Sequence, residues 1–168
     1  MATYEFKKIR SSNELPSLYG LVAHLPESDL PPRFPVAFSC REFEVRMMDL
    51  LRFDIHDIFR LADQQGETVG CVYSYDYRIY DGHCKISFCF SPKVGIQDAQ
   101  RFLMEFSSYM FCEYPLVKLF FEASILDKSS LSLCQAAGFY LECTLKEYHF
   151  RNNEYVDWCI CGKERSHA

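Results

Sequence analysis

Between Cys84 and Ala123 the spacing of apolar residues changes twice, and this restricts the fold more than any other feature of the chain. Cys84 to Phe90 alternates Ile86, Phe88 and Phe90 with Lys85, Ser87 and Cys89, the period of a strand. From Ile96 the apolar residues Ala99, Leu103, Phe106 and Met110 recur at three and four, the period of a helix that ends near Pro115. Val117 to Ala123 returns to strand character, with Phe120 and Phe121 at its centre. Strand, helix and strand in this order make a β-α-β unit. Its two strands must be parallel, because only a long crossover carries the chain back to the same end of a sheet.

The flanks read in shorter steps. Tyr4 to Ile9 is a first strand, and Asn13 is placed to cap a helix through Leu15, Leu18, Leu21 and Val22, with Pro16 in its first turn. Pro26, Pro31, Pro32 and Pro35 mark an irregular loop that carries Glu27 and Asp29. Ser39-Cys40-Arg41-Glu42 has the S-x-x-E form of a capping box and opens a helix to about Leu51. Ile58–Ala62 and Val69–Tyr77 pair across Gln64-Gln65-Gly66-Glu67, and Tyr80-Asp81-Gly82-His83 turns the chain into Cys84–Phe90. Such short turns allow only an antiparallel meander. A short helix from about Ser129 stops at Gly138, where a left-handed cap belongs. Phe139–Phe150 and Glu154–Cys161 close the chain as a hairpin over Asn152-Asn153.

A length of 168 residues with 49% hydrophobic content predicts one globular domain with a real core. The net charge of -5 excludes the basic footprint that nucleic-acid binding needs, and no run is apolar enough to span a bilayer. With no leader-like start, the chain reads as cytosolic, without a membrane partner, and as a monomer or homodimer. Its nine cysteines contain no C-x-x-C pair, so they read as buried apolar residues in a reducing compartment, with no metal site expected.

Several short motifs, in order, carry a family resemblance. They are Gly95-Ile96 opening the long helix, Tyr109-Met110-Phe111, Leu116-Val117-Lys118-Leu119, Asp127-Lys128-Ser129-Ser130, Ala137-Gly138-Phe139 and Tyr155-Val156-Asp157. Over roughly half the chain, this resembles the GNAT acetyltransferase superfamily, in the branch of ribosomal-protein N-terminal and spermidine acetyltransferases. The resemblance implies an α+β fold: a mixed, largely antiparallel sheet with helices on both faces and a central β-α-β unit. It assigns an acceptor side to residues 13–51, a cofactor core to 84–139 and a terminal hairpin to 139–162. It also implies an acetyl-CoA cosubstrate and a small-molecule or peptide amine as acceptor. The alternative is a non-catalytic acyl-CoA-binding or scaffold domain.

A helix N-terminus after a tight turn presents unpaired N–H groups and a positive dipole end to an anion. Ser91 to Asp98 is such a connection. By resemblance Lys93, Val94, Gly95, Ile96, Gln97 and Asp98 would hold the pyrophosphate of coenzyme A. Phe88, Cys89 and Phe90 would lie beside the thioester, with the pantetheine arm paired along their strand. The loop departs from the family pattern: Gln97 stands where a second glycine is expected, Asp98 adds negative charge, and only Lys93 and Arg101 are nearby cations. Asp127 replaces the customary Asn on the pantetheine arm. Ser130 and Cys134, four apart on one helix face, are the candidates to protonate the departing thiolate. Ser130 matches the branch pattern, and Cys134 stands where many members carry a tyrosine. Each also has an ordinary reading, as a surface hydroxyl and a core thiol. For the general base, Glu122 in an apolar strand, Asp76 among tyrosines, and Glu147 with His149 on one strand face stay open, as does a water chain.

Overall fold

A computed structural model of the chain describes residues 4–23, 25, 30, 33–151 and 153–166. Pro26, Glu27, Asp29, Pro31, Pro32 and Asn152 therefore lie outside the described residues. Two compact units are present, one formed by the residues up to Asp76 with Ser87–Gly95, the other by Tyr77–Ile86 with the residues from Ile96 onward. Among the described residues there are seven strands and four α-helices, and the strands are ordered Glu5–Lys8, Ile55–Ala62, Thr68–Arg78, His83–Phe90, Lys118–Ser124, Glu154–Glu164, Tyr140–Arg151.

The first unit holds β1 (Glu5–Lys8), α1 (Pro16–Val22), α2 (Cys40–Phe53), β2 (Ile55–Ala62), most of β3 (Thr68–Arg78) and the second half of β4 (His83–Phe90). β1 pairs antiparallel with β2, and β2 with β3. Leu15, Leu18, Phe43, Met47, Ile55, Ile58, Cys71 and Tyr73 form its core, so α1 and α2 are held by their apolar faces on the strands. The sequence places Asn13 as the cap of α1. In the structure Asn13 lies inside a short 3-10 turn, Ser12–Glu14, and the Glu14 carboxylate accepts from the N–H groups of Arg10 and Ser11, at 2.9 and 3.2 Å. No side chain caps α1: Pro16 stands at its first position without an N–H, and Leu18 N–H is taken by Leu15 C=O at 3.0 Å. The capping box of α2 is half realised. Ser39 Oγ accepts from Glu42 N–H at 3.2 Å, but the Glu42 carboxylate takes the N–H of Phe38.

The second unit carries the first half of β4, α3 (Ile96–Glu113), β5 (Lys118–Ser124), α4 (Lys128–Ala136), β6 (Tyr140–Arg151) and β7 (Glu154–Glu164). The parallel pairing follows the β-α-β reading: His83 to Ile86 of β4 lie against Lys118 to Phe121 of β5. α3 buries Ala99, Phe102, Leu103, Phe106 and Met110, the stripe expected from its spacing, with Phe102 added. Leu119, Phe121 and Ala123 of β5 and Cys159 and Cys161 of β7 are also buried, one strand face each. Gly138 has φ +89°. Phe139 N–H bonds to Cys134 C=O and Gly138 N–H to Gln135 C=O, the paired bonds of a Schellman cap that only glycine accepts without strain.

The β6–β7 hairpin is less regular than its sequence suggests. The register shifts between Leu145 and His149, and Glu147 sits at φ +49° inside the shift. The strand alternation that would put Glu147 and His149 on one face is interrupted there. A bulge re-aims side chains in this way.

Candidate active site

In the first unit, the antiparallel ladder and a tight turn set the end of β4. Ser91 N–H bonds to Val69 C=O at 2.8 Å, and Val94 N–H returns to Ser91 C=O at 2.9 Å, closing the turn that carries Lys93 and Val94 to Gly95. The parallel ladder with β5 covers only His83 to Ile86, whereas β4 runs on to Phe90. Phe88 is buried, and its ring packs on that of Phe90, with centroids 5.5 Å apart. A Cβ at Gly70 on β3 would overlap the Phe90 ring, so the bare backbone of Gly70 makes the room in which Phe90 sits. The role of Gly70 is not visible in the sequence, because an isolated strand glycine does not say which ring it admits. Burial pushes the Cys89 thiol up to about 11, so it is protonated and unreactive at neutral pH.

In the second unit, Ile96, Gln97 and Asp98 are the first three residues of α3, where backbone N–H groups lack helical acceptors. The Asp98 carboxylate is met by Arg101 at 3.2 Å. The extra negative charge of this loop is thus offset one turn along the helix, and Arg101 is committed to it. Asp127 is the N-cap of α4. Its Oδ1 accepts from Ser130 N–H at 3.1 Å and from Ser129 Oγ at 3.0 Å. Aspartate caps as well as asparagine and adds a charge that the helix dipole favours.

Ser130 and Cys134 occupy α4 as expected, half-buried and fully buried respectively. Burial pushes the Cys134 thiol far up, with Cys161 and Asp127 adding to the shift and Lys163 opposing it. Cys134 is closed off from solvent and from a cosubstrate, whereas Ser130 is half-buried and within reach of one. Lys163 itself is lowered by burial, packs over Phe139 and donates to Ala137 C=O at 2.8 Å, supporting the end of α4.

Among the base candidates, the Glu122 carboxylate is paired with Lys85 at 2.9 Å. Asp76 has φ +49° near the end of β3, an uncommon backbone for a non-glycine residue. His149 packs against Trp158 with centroids 5.0 Å apart, and Trp158 stands opposite Ser124, the last residue of β5. This aromatic pair was missed in the sequence, where only the uniqueness of Trp158 marked it. Among the described residues no three His, Cys, Asp or Glu side chains gather as metal ligands, and no helix is long and apolar enough to cross a membrane.

No protein-family model matches the chain, and no curated protein matches it by sequence. Solved structures do match. A point mutant of the spermidine N-acetyltransferase of Vibrio cholerae superposes with a TM-score of 0.77 at 17% identity, over 95% of this chain and 94% of that one. The ribosomal-protein alanine acetyltransferase of Vibrio fischeri gives 0.77 at 17% identity, over 98% and 94%. The dodecameric form of the Vibrio cholerae enzyme gives 0.78 at 16%, over 96% and 93%. The fold is the GNAT fold. The α+β architecture implied by the resemblance is the one observed, and both kinds of enzyme in the branch it named are among the matching structures. Of the departures noted in the sequence, Asp98 is offset by Arg101 and Asp127 caps α4.

Proposed function

We propose that the chain is an N-acetyltransferase that moves the acetyl group of acetyl-CoA to a primary amine, by direct attack of the amine on the thioester. The observation that carries this reading is β4. Its parallel ladder ends at Ile86, and Ser87 to Phe90 continue past it into the turn before α3. An extended, amide-rich pantetheine arm binds such a stretch as an added strand. The first turn of α3, Ile96 to Asp98, with Lys93 just before it, then offers N–H groups and a cation to the pyrophosphate. In this reading Ser130 returns a proton to the thiolate as the carbon–sulfur bond breaks, and a base removes one from the attacking ammonium. The acceptors in the names of the matching structures, spermidine and a ribosomal-protein alanine, support an amine acceptor.

Differential scanning fluorimetry with acetyl-CoA, followed by an amine panel, tests this. A cosubstrate that binds only the native state stabilises it by about 2.7 kcal/mol at 100-fold excess over Kd. A melting-temperature rise with acetyl-CoA and amine-dependent release of coenzyme A are expected. Stabilisation without turnover on any amine would favour a non-catalytic acyl-CoA-binding domain. No stabilisation at millimolar acetyl-CoA would remove both readings.

A further inference from the structure

We propose that Asp157 is a positioning residue for the acceptor amine, setting the wall formed by Trp158 and His149. Three bonds meet on this residue. Its Oδ1 accepts from Glu147 N–H at 3.0 Å, its Oδ2 from Lys146 Nζ at 2.7 Å, and its C=O from Ile125 N–H at 3.0 Å. The first holds the bulge of β6 at the left-handed Glu147, a backbone that a glutamate leaves readily unless it is tied down. That bulge determines that His149 comes back into register opposite Val156 and lies on the Trp158 ring. The third bond ties the turn after β5, two residues before Asp127, the cap of the helix that carries Ser130. One side chain therefore fixes the hairpin wall, and its own backbone fixes the approach to α4.

The wall is suited to a cation. Trp158 stands opposite the last residue of β5, and its strand alternation puts it on the face of Glu122, which pairs with Ile160. Ligands of parallel strands bind beyond their C-terminal ends, and an aromatic face attracts an ammonium. The Lys146 contribution is secondary, because its side chain is 78% exposed and such ion pairs are weak. The hydrogen bond to the bulge is the part that positions.

This rests on the acetyl-transfer reading for its kinetics but not for its spectroscopy, since Trp158 is the only tryptophan and reports the hairpin directly. The test compares Asp157→Asn, which keeps an acceptor for Glu147 N–H but loses the charge, with Asp157→Glu, which keeps the charge but displaces the acceptor. Lys146→Met is the control. In Asp157→Glu the acrylamide quenching of Trp158 is expected to rise. The KM for the amine should rise about tenfold as the wall shifts, with kcat and the KM for acetyl-CoA unchanged. Asp157→Asn and Lys146→Met should match the parent in both readouts. The proposal is overturned if Asp157→Asn is impaired and Asp157→Glu is not, or if Trp158 quenching is the same in all four proteins. A change confined to the KM for acetyl-CoA would also overturn it. Should no amine be acetylated by the parent, the quenching contrast alone decides whether Asp157 holds the hairpin.

Discussion

Ser130 and Cys134 differ in their access to a cosubstrate. Both lie on the same face of α4, but Cys134 is fully buried and its thiol is pushed far up, while Ser130 is half-buried beside the Asp127 cap. Ser130→Ala should therefore lower kcat by about 100-fold to 10,000-fold with the KM for acetyl-CoA unchanged. Cys134→Ala should lose packing and melting temperature but keep its rate per folded molecule. Equal rates in two folded variants would mean that neither is the acid. The buried thiols also fix an alkaline limit. Cys71, Cys89 and Cys134 are all raised by burial, Cys89 to about 11, so the unfolded chain gives up these protons first as pH rises. Stability from these groups is complete below the ordinary thiol value of about 8.5, and is lost as pH climbs from there toward 11. A melting temperature that falls across this window, and a slope reduced in Cys89→Ala, would be the signature. A flat profile from pH 8.5 to 11 would contradict it.

At the scale of elements, two glycines carry specific weight. Gly138 holds the Schellman cap of α4 at φ +89°, and Gly138→Ala should cost about 1 to 2 kcal/mol, read from chemical denaturation. Gly70→Val should displace the Phe90 ring and diminish the thermal shift given by acetyl-CoA, while leaving the far-ultraviolet circular dichroism intact. An undiminished shift would separate Phe90 from the thioester. Gly138 and the β-α-β unit were legible in the sequence for physical reasons. A left-handed cap demands glycine, and a change from period two to spacing of three and four leaves few topologies. The start of α1 was not legible, because Asn13 is taken into a 3-10 turn that Glu14 closes by reaching back four residues to Arg10 N–H, and no side chain caps α1 itself. The β6 bulge was also hidden. Its cause, a bond from Glu147 N–H to Asp157, joins residues ten apart across the hairpin, and local alternation cannot express it. Of the candidate site, residue types and helix termini could be read from the chain. The Lys85–Glu122 pairing, the Asp98–Arg101 offset and the state of the Cys134 thiol could not, since they depend on neighbours across strands, on rotamers and on burial.

For the whole molecule, the GNAT fold with a β4 that outruns its parallel ladder is what makes acetyl transfer the reading to test. Cys112 and Cys143 are exposed, so a thiol-coupled colour assay would count the protein's own cysteines along with released coenzyme A. The direct measurement is chromatographic. The protein is incubated with acetyl-CoA and a panel of a polyamine, an amino sugar and a peptide with a free N-terminal alanine, and acetylated amine is quantified with coenzyme A over time. The account predicts equal amounts of both products from at least one amine, formed in proportion to protein and abolished by heat denaturation of the chain. Formation of neither product above the protein-free rate, with the chain folded and stabilised by acetyl-CoA, would contradict it.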